Sequence, residues 1–308
     1  MGLTLAVLAG LGLDAWLGEP RAYHPLVGFG RLAAALDRRL PRRRWAGAIA
    51  WLALVVPPAV LAGLLIAPLP TPVGWIVAVF GLWLCIAWHS LKIHTRAVEA
   101  ALQGGDITAA RRAVAALVSR DTQTMDAAAI RRAALESLLE NASDGVHASL
   151  FWFAVGGLAA GPAGAVAAAI AHRAINTLDA MWGYRTPRYR RFGWAAARAD
   201  DLANWPSARL TALSFALVGD TRAGLRSWYA QASALASPNA GPVMCAGAGA
   251  LRLRLGGGAY YHGAYQSRPV FGGDTPPDSA DMERAIVLVG RTLWLWIVTI
   301  AILDWAWP

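Results

Sequence analysis

The sequence is poor in charge. Asp, Glu, Lys and Arg make up 15% of its 308 residues, against about a quarter in a soluble globular domain. It has two cysteines, Cys85 and Cys245, and nothing in their placement suggests a disulfide framework or a zinc site. Zinc-finger spacing, an RNP-like strand and a basic arm are all missing. The net charge of +9 therefore points away from nucleic acid and toward arginines flanking membrane segments. There is no GxxxxGK[ST], no GxGxxG after a strand and no HExxH, so no standard nucleotide or zinc-protease motif is present. No Lys or Arg precedes the apolar stretch 3–13, and Asp14 and Gly18-Glu19-Pro20 follow it in place of a small-residue cleavage site. It reads as a retained first membrane segment, not a signal peptide. No repeat or low-complexity tract stands out.

What is abundant is apolar: 56% of residues are hydrophobic and the mean hydropathy is +0.41. A bilayer core of ~30 Å needs about 20 apolar residues of helix. Residues 45–67 qualify, with a kink expected at Pro57-Pro58. Residues 73–91 qualify too, and the short link 68–72 makes the pair a membrane hairpin. Residues 150–170 are apolar but interrupted by Gly156-Gly157 and Gly161-Pro162. Residues 203–218 are marginal, because they contain Pro206 and Arg209. Residues 285–307 form a clear final span.

The basic residues give a topology. Loops 19–44 and 92–147 are arginine-rich and are expected in the cytoplasm. Loop 185–198 is also strongly basic, and a single crossing by 150–170 would put it outside. The conflict disappears if that segment turns back near Gly161-Pro162, which is tolerated where the backbone is buried in protein or lines a cavity. The expected fold is all-α: a polytopic integral protein of the inner (cytoplasmic) membrane, multi-pass, with four to six membrane segments, a re-entrant Gly/Pro-broken segment near Gly161, and catalytic loops on the cytoplasmic side. It forms one membrane-embedded domain, 1–308.

Polar residues gather in four places. After Ser119-Arg120-Asp121-Thr122, Asp126 is placed to cap a helix running to about Ser143, with Gly145 as its stop. Glu136 and Glu140 share a face of that helix, Asp144 continues the line, and Asn141 is adjacent. Carboxylates so placed stay ionised most readily around a cation, and oxygen ligands suit Mg²⁺, which bridges to phosphates. A solvated face paired with Arg131 and Arg132 is the plainer reading. In the second cluster His172, Asn176 and Asp179 fall at i, i+4 and i+7, beside Arg173 and at the end of an apolar segment, where polar side chains are costly and mark a site; a satisfied interfacial network is the alternative. The third runs from Tyr184 to Arg191 and then Arg198, Asp200, Asp201 and Asn204. Its arginines suit phosphates or a positive-inside anchor, and one of the adjacent aspartates suits a metal. The fourth is Ser237-Pro238-Asn239 and the Gly256-Gly257-Gly258 stretch, a loop whose backbone can approach a ligand closely. A smaller polar set, Asp14, Glu19 and His24-Pro25, lies near the first segment.

Taken in order, Asp14…Gly18-Glu19-Pro20…His24-Pro25, Ser119-Arg120-Asp121-Thr122, Glu136…Glu140-Asn141…Asp144-Gly145, Asn176-Thr177-Leu178-Asp179-Ala180-Met181…Gly183-Tyr184, Ala197-Arg198…Asp200-Asp201…Asn204…Pro206…Arg209 and Ser237-Pro238-Asn239 resemble the adenosylcobinamide-phosphate synthases of cobalamin biosynthesis (CbiB/CobD). The resemblance runs from about residue 4 to residue 300, and 136–209 is its specific part. Two departures are visible: Pro242-Val243-Met244 stands where the family carries a Glu after Ser-Pro-Asn, and Ser149 replaces a Pro.

The resemblance implies a membrane enzyme that joins a propionate carboxylate of adenosylcobyric acid to aminopropanol or its phosphate, driven by ATP as co-substrate with Mg²⁺. Residue type then distributes the roles. Glu136, Glu140, Asp144 and Asp179 are the expected catalytic carboxylates. Glu140, Asp144, Asp179, Asp200 and Asp201 are the expected metal ligands. Arg120, Asp121, Asn141, Arg173, Asn176, Arg198, Asn204 and Asn239 are expected to hold phosphate or substrate amides. The expected partners are the corrinoid, the amine, the lipid bilayer and other membrane enzymes of the late cobalamin pathway. Two rivals are a membrane Mg²⁺-dependent phosphotransferase acting on a phosphorylated lipid and a non-catalytic transporter or sensor. The concentration of polar residues in cytoplasmic loops, without an inverted repeat, argues against the latter.

Overall fold

A computed structural model describes residues 2–20, 24–184, 186–261 and 263–307. The elements run α1 (Gly2–Leu17), α2 (Pro25–Arg39), α3 (Arg44–Ile66), α4 (Thr71–Cys85), α5 (Trp88–Gln103), α6 (Ile107–Ala115), α7 (Ala127–Ala142), α8 (Ala148–Trp182), α9 (Tyr189–Phe192), α10 (Trp194–Val218), α11 (Thr221–Gln231), α12 (Ala240–Leu251), β1 (Arg254–Gly256), β2 (Ala259–Tyr261), β3 (Ala264–Gln266), β4 (Val270–Gly272) and α13 (Asp281–Ala306). The described residues are all-α apart from two short antiparallel pairs, β1 with β4 and β2 with β3.

Four helical stretches among the described residues are long and apolar enough to cross a membrane: Arg44–Ile66, Thr71–Gln103, Ala127–Trp182 and Asp281–Ala306. They also expose large apolar side chains, including Leu61, Leu64 and Leu65 on α3, Ile76 and Phe80 on α4, and Trp294, Val298 and Ile302 on α13. Water would not tolerate patches of this extent, and a lipid face requires them. α1, at 16 residues, is apolar but short. The expected span 73–91 is interrupted at Ile86-Ala87, between α4 and α5.

The chain forms two compact units. The first comprises Met1–Ala87, Asp144–Pro206 and Trp296–Pro308. Its centre is α8, which packs against α3, α4 and α2. The short link 68–72 joins α3 to α4 as expected, and both helices make their main contacts with α8. Trp182 and Phe192 meet edge to face in a core completed by Ala46, Ala50, Leu54 and Leu178. At one end, Asp304 accepts from the Thr4 N–H (3.0 Å) and hydroxyl (2.8 Å).

α8 is a helical hairpin, not a rod. Ala160 (φ −146°, ψ 27°) and Gly161 (φ 62°, ψ −153°) leave the helical region, and Gly161 occupies backbone space that side chains avoid. The expected turn near Gly161-Pro162 is thus present. The two arms close on each other through Gly156 and Gly164, where a Cβ on either would overlap the carbonyl oxygen of the other.

The second unit comprises Trp88–Ser143 and Ser207–Leu295. α12 lies buried along its whole length, against α11 and α7. Pro242, Val243 and Met244 are inside this apolar helix. As expected, Asp126 caps α7, accepting from the Ala129 N–H at 2.7 Å. Gly145, by contrast, does not stop the helix. Residues Ser143–His147 form a π-helical turn, so a wider hydrogen-bonded turn carries the chain into α8 without the left-handed residue a stop needs.

Candidate functional site

The sequence-selected residues fall into two clusters, one in each unit. In the first unit the i, i+4, i+7 face of α8 does form, and it meets α10. His172 Nε2 lies 3.0 Å from Asn204 Oδ1. Asn204 donates its Nδ2 to Asp200 Oδ1 at 2.9 Å, which fixes its Oδ1 as acceptor and His172 Nε2 as donor. Asn176 also donates to Asp200 Oδ1, at 3.4 Å, and accepts from Arg173 at 3.4 Å. A polar chain thus runs His172–Asn204–Asp200–Asn176–Arg173. His172 and Asn204 are each 1% exposed.

Electrostatics in this chain are unbalanced toward acid. Burial pushes the Asp200 carboxyl above the ordinary range; Asn204 and Asn176 pull it back, and the Asp201 charge adds to the rise. Asp179, in the last turns of α8, feels both Asp200 and Asp201. Asp201 is bridged by Arg198 at 3.2 Å on the exposed side. Asp144 lies in the π-helical turn of the same unit, and Arg173 reaches that turn: its Nη1 is 3.8 Å from where a Cβ on Gly145 would be. Arg173 also borders a cleft of about 280 Å³ with Glu19, His24, Leu26, Leu84 and Ile86. Arg185 of the third sequence cluster lies outside the described residues. Its neighbour Arg188, with Arg42, pairs with the buried Asp37.

The second unit holds Glu136, 1% exposed, in an ion-pair cluster. Arg120 donates to its carboxylate, Arg268 does so at 2.9 Å, and the Gly256 N–H at 2.8 Å. Burial alone would lower the Arg120 pKa; the charge and hydrogen bond of Glu136, with Tyr261, outweigh it and hold it high. The glycine stretch does bring a backbone N–H to an anion, and that anion is Glu136. Asp121 accepts from Gly263 N–H at 2.6 Å, and its own N–H donates to Tyr260 O at 2.9 Å. A cleft of about 160 Å³ opens beside Arg120, Asp121, Asp126, Arg132 and Tyr260. Glu140 is within the field of Glu136, Arg120 and Arg268. Asn141 turns back on its own helix, donating to Ser137 O and Oγ at 2.9 Å. Arg209 donates to Asn239 Oδ1 at 2.7 Å and to Pro238 O at 2.9 Å.

Glu136 and Glu140 thus share one unit and Asp144 belongs to the other; Asp179, Asp200, Asp201, Asn176, Asn204 and Arg173 come together. Among the described residues, no group of three or more His, Cys, Asp or Glu is arranged to hold a metal by itself. Sequence reasoning missed Arg268, whose link to Glu136 spans 132 positions and leaves no local pattern. It did name His24, but not its place beside Arg173.

Helices with lipid-type outer faces, carrying buried polar clusters at their ends, define a polytopic α-helical membrane protein with built polar sites. The family model described as "CobD/Cbib protein" matches residues 7–289. The chain belongs to the CobD/Cbib family. It is 46% identical over 99% of its length to the "Cobalamin biosynthesis protein CobD" of Stutzerimonas stutzeri, covering 99% of that protein. It is 47% identical to the protein so named in Chromobacterium violaceum (96% of this chain, 95% of that one). With the Mycobacterium tuberculosis protein of that name it shares 41% (92% and 90%). No solved structure matches the chain.

Proposed function

We propose that this chain acts in cobalamin biosynthesis as an ATP-dependent carbon–nitrogen ligase of the inner membrane. It joins the propionate carboxylate of adenosylcobyric acid to the amine of aminopropanol or its phosphate. One observation carries the reading: Arg173, which pairs with no carboxylate among the described residues, and three neighbouring aspartates meet where α8 faces α10, in a chain related over its whole length to proteins named for cobalamin biosynthesis.

A carboxylate accepts an amine poorly until it is activated as an acyl phosphate, which requires held phosphates and aligned reacting groups. Asp179 and Asp201 fit Mg²⁺ bound mainly through substrate phosphates, since such a site needs only one or two carboxylates; Mg²⁺ there would neutralise phosphate charge. Glu136 fits that role poorly, because two guanidinium groups and a backbone N–H already hold its oxygens. Asn176, only half-buried, is suited to orient a substrate amide, while the buried Asn204 holds His172 and Asp200 in place. Asp200, whose proton affinity burial has raised, is suited to take the amine proton at attack. The Gly161 turn is read as re-entrant, which keeps the loops carrying these residues on the cytoplasmic face.

ATP consumption tests the class. Purified protein in detergent should consume ATP only when corrinoid acid, amine and Mg²⁺ are all present, and EDTA should stop it. A lipid phosphotransferase would turn over without ATP, and that result would remove the ligase reading.

A further inference from the structure

Several arginines of the described residues meet carboxylates: Arg120 and Arg268 meet Glu136, Arg131 meets Glu99, and Arg188 and Arg42 meet Asp37. Arg173 does not. Its guanidinium donates to the neutral amide oxygen of Asn176 at 3.4 Å, and its Nε is buried without a hydrogen-bond partner among the described residues. A buried guanidinium N–H left without an acceptor is costly, and this one belongs to a half-buried arginine that lines a cleft.

The same cleft supplies a second donor. His24 caps α2, its Nδ1 accepting from the Leu26 N–H at 3.2 Å. Nδ1 is therefore the acceptor and Nε2 carries the hydrogen. Protonating the ring would remove the cap. Burial, ahead of the opposed charges of Glu19 and Arg173, lowers the His24 pKa below its ordinary value, so the neutral donor form is the one maintained.

Pro20, Leu26, Val27, Leu84 and Ile86 also line it, together with Glu19. Among the described lining residues, one guanidinium, one neutral imidazole and one glutamate leave too little positive charge for a polyphosphate. They suit one monoanion attached to something apolar.

We propose that the cleft between Arg173 and His24 is a carboxylate-binding subsite that holds a single carboxylate carried on a large, partly apolar body. The identity of that body as a corrinoid acid rests on the function proposed above; the anion chemistry does not.

The test uses full-length protein in detergent and intrinsic tryptophan fluorescence. Wild type should bind adenosylcobyric acid about tenfold or more tighter than the same corrinoid with that carboxylate converted to its amide, the ratio expected for one charge-assisted pair. Arg173→Gln should bind acid and amide alike, and Arg173→Lys should recover part of the preference. A tenfold preference retained in Arg173→Gln would overturn the subsite. If wild type binds neither corrinoid, the functional reading fails, and the subsite is then judged with small anions. Millimolar propionate should raise the unfolding temperature of wild type and not of Arg173→Gln; no difference between the two proteins overturns it. Inorganic phosphate stabilising wild type more strongly than propionate would overturn the assignment to a carboxylate.

Discussion

Gly156 and Gly164 face each other backbone to backbone, eight positions apart in sequence, because the chain reverses at Ala160-Gly161. A side chain at either position would force the arms of α8 apart. Gly156→Ala should destabilise the protein by about 1–3 kcal/mol, the cost of overpacking a close contact. Gly12→Ala, at a position with open space around its Cβ, is the control. Equal unfolding temperatures for the two variants would mean that the arms do not meet.

Glu136 is the shared counter-charge of Arg120 and Arg268. Removing it leaves two guanidinium groups facing one another in a buried place. Glu136→Ala should cost about 3–5 kcal/mol, as for breaking a buried pair. Arg268→Ala should cost less, since Arg120 remains. Denaturant midpoints of the three proteins check the order, and an Arg268→Ala penalty equal to or above that of Glu136→Ala would contradict it.

Much of this was legible in the sequence. The apolar runs at Arg44–Ile66 and Asp281–Ala306, the Asp126 cap and the turn at Gly161 follow from composition and local backbone rules. So does the His172/Asn176/Asp179 face, which needs only helical spacing. What α10 brings to that face, Asp200 and Asn204, was found as a motif but not as a contact, because 24 to 32 residues separate the partners. The carboxylate line through Glu136, Glu140 and Asp144 assumed a helix ending at Gly145; the π-helical turn there changes the phase. Helical periodicity was silent on Arg268, and on the breaking of 73–91 at Ile86-Ala87.

Asp200 should make stability depend on pH. Its folded-state pKa lies above the unfolded value, so the folded state binds the extra proton. Its stabilising contribution is complete below the ordinary carboxylate pKa and is lost as pH rises through the raised one. Asp200→Asn keeps an acceptor for Asn204 and cannot ionise. The unfolding temperature of wild type should fall relative to Asp200→Asn as pH rises from the carboxylate range toward neutrality. A difference that stays constant with pH would show that Asp200 is not perturbed.

Asp179→Ala and Glu140→Ala should each abolish turnover while leaving membrane insertion and monodispersity intact. Wild-type rates in both would remove these carboxylates from the site. Loss in Asp179→Ala alone would place the chemistry with α8 and α10.

The most direct measurement is product formation. Purified protein is supplied with adenosylcobyric acid, ATP and Mg²⁺, and separately with aminopropanol and aminopropanol phosphate, and the corrinoid is followed by mass spectrometry. The account predicts a corrinoid amide with at least one of the two amines, dependent on ATP and abolished by EDTA. Unchanged adenosylcobyric acid with both amines, from protein that is folded and monodisperse, would contradict it.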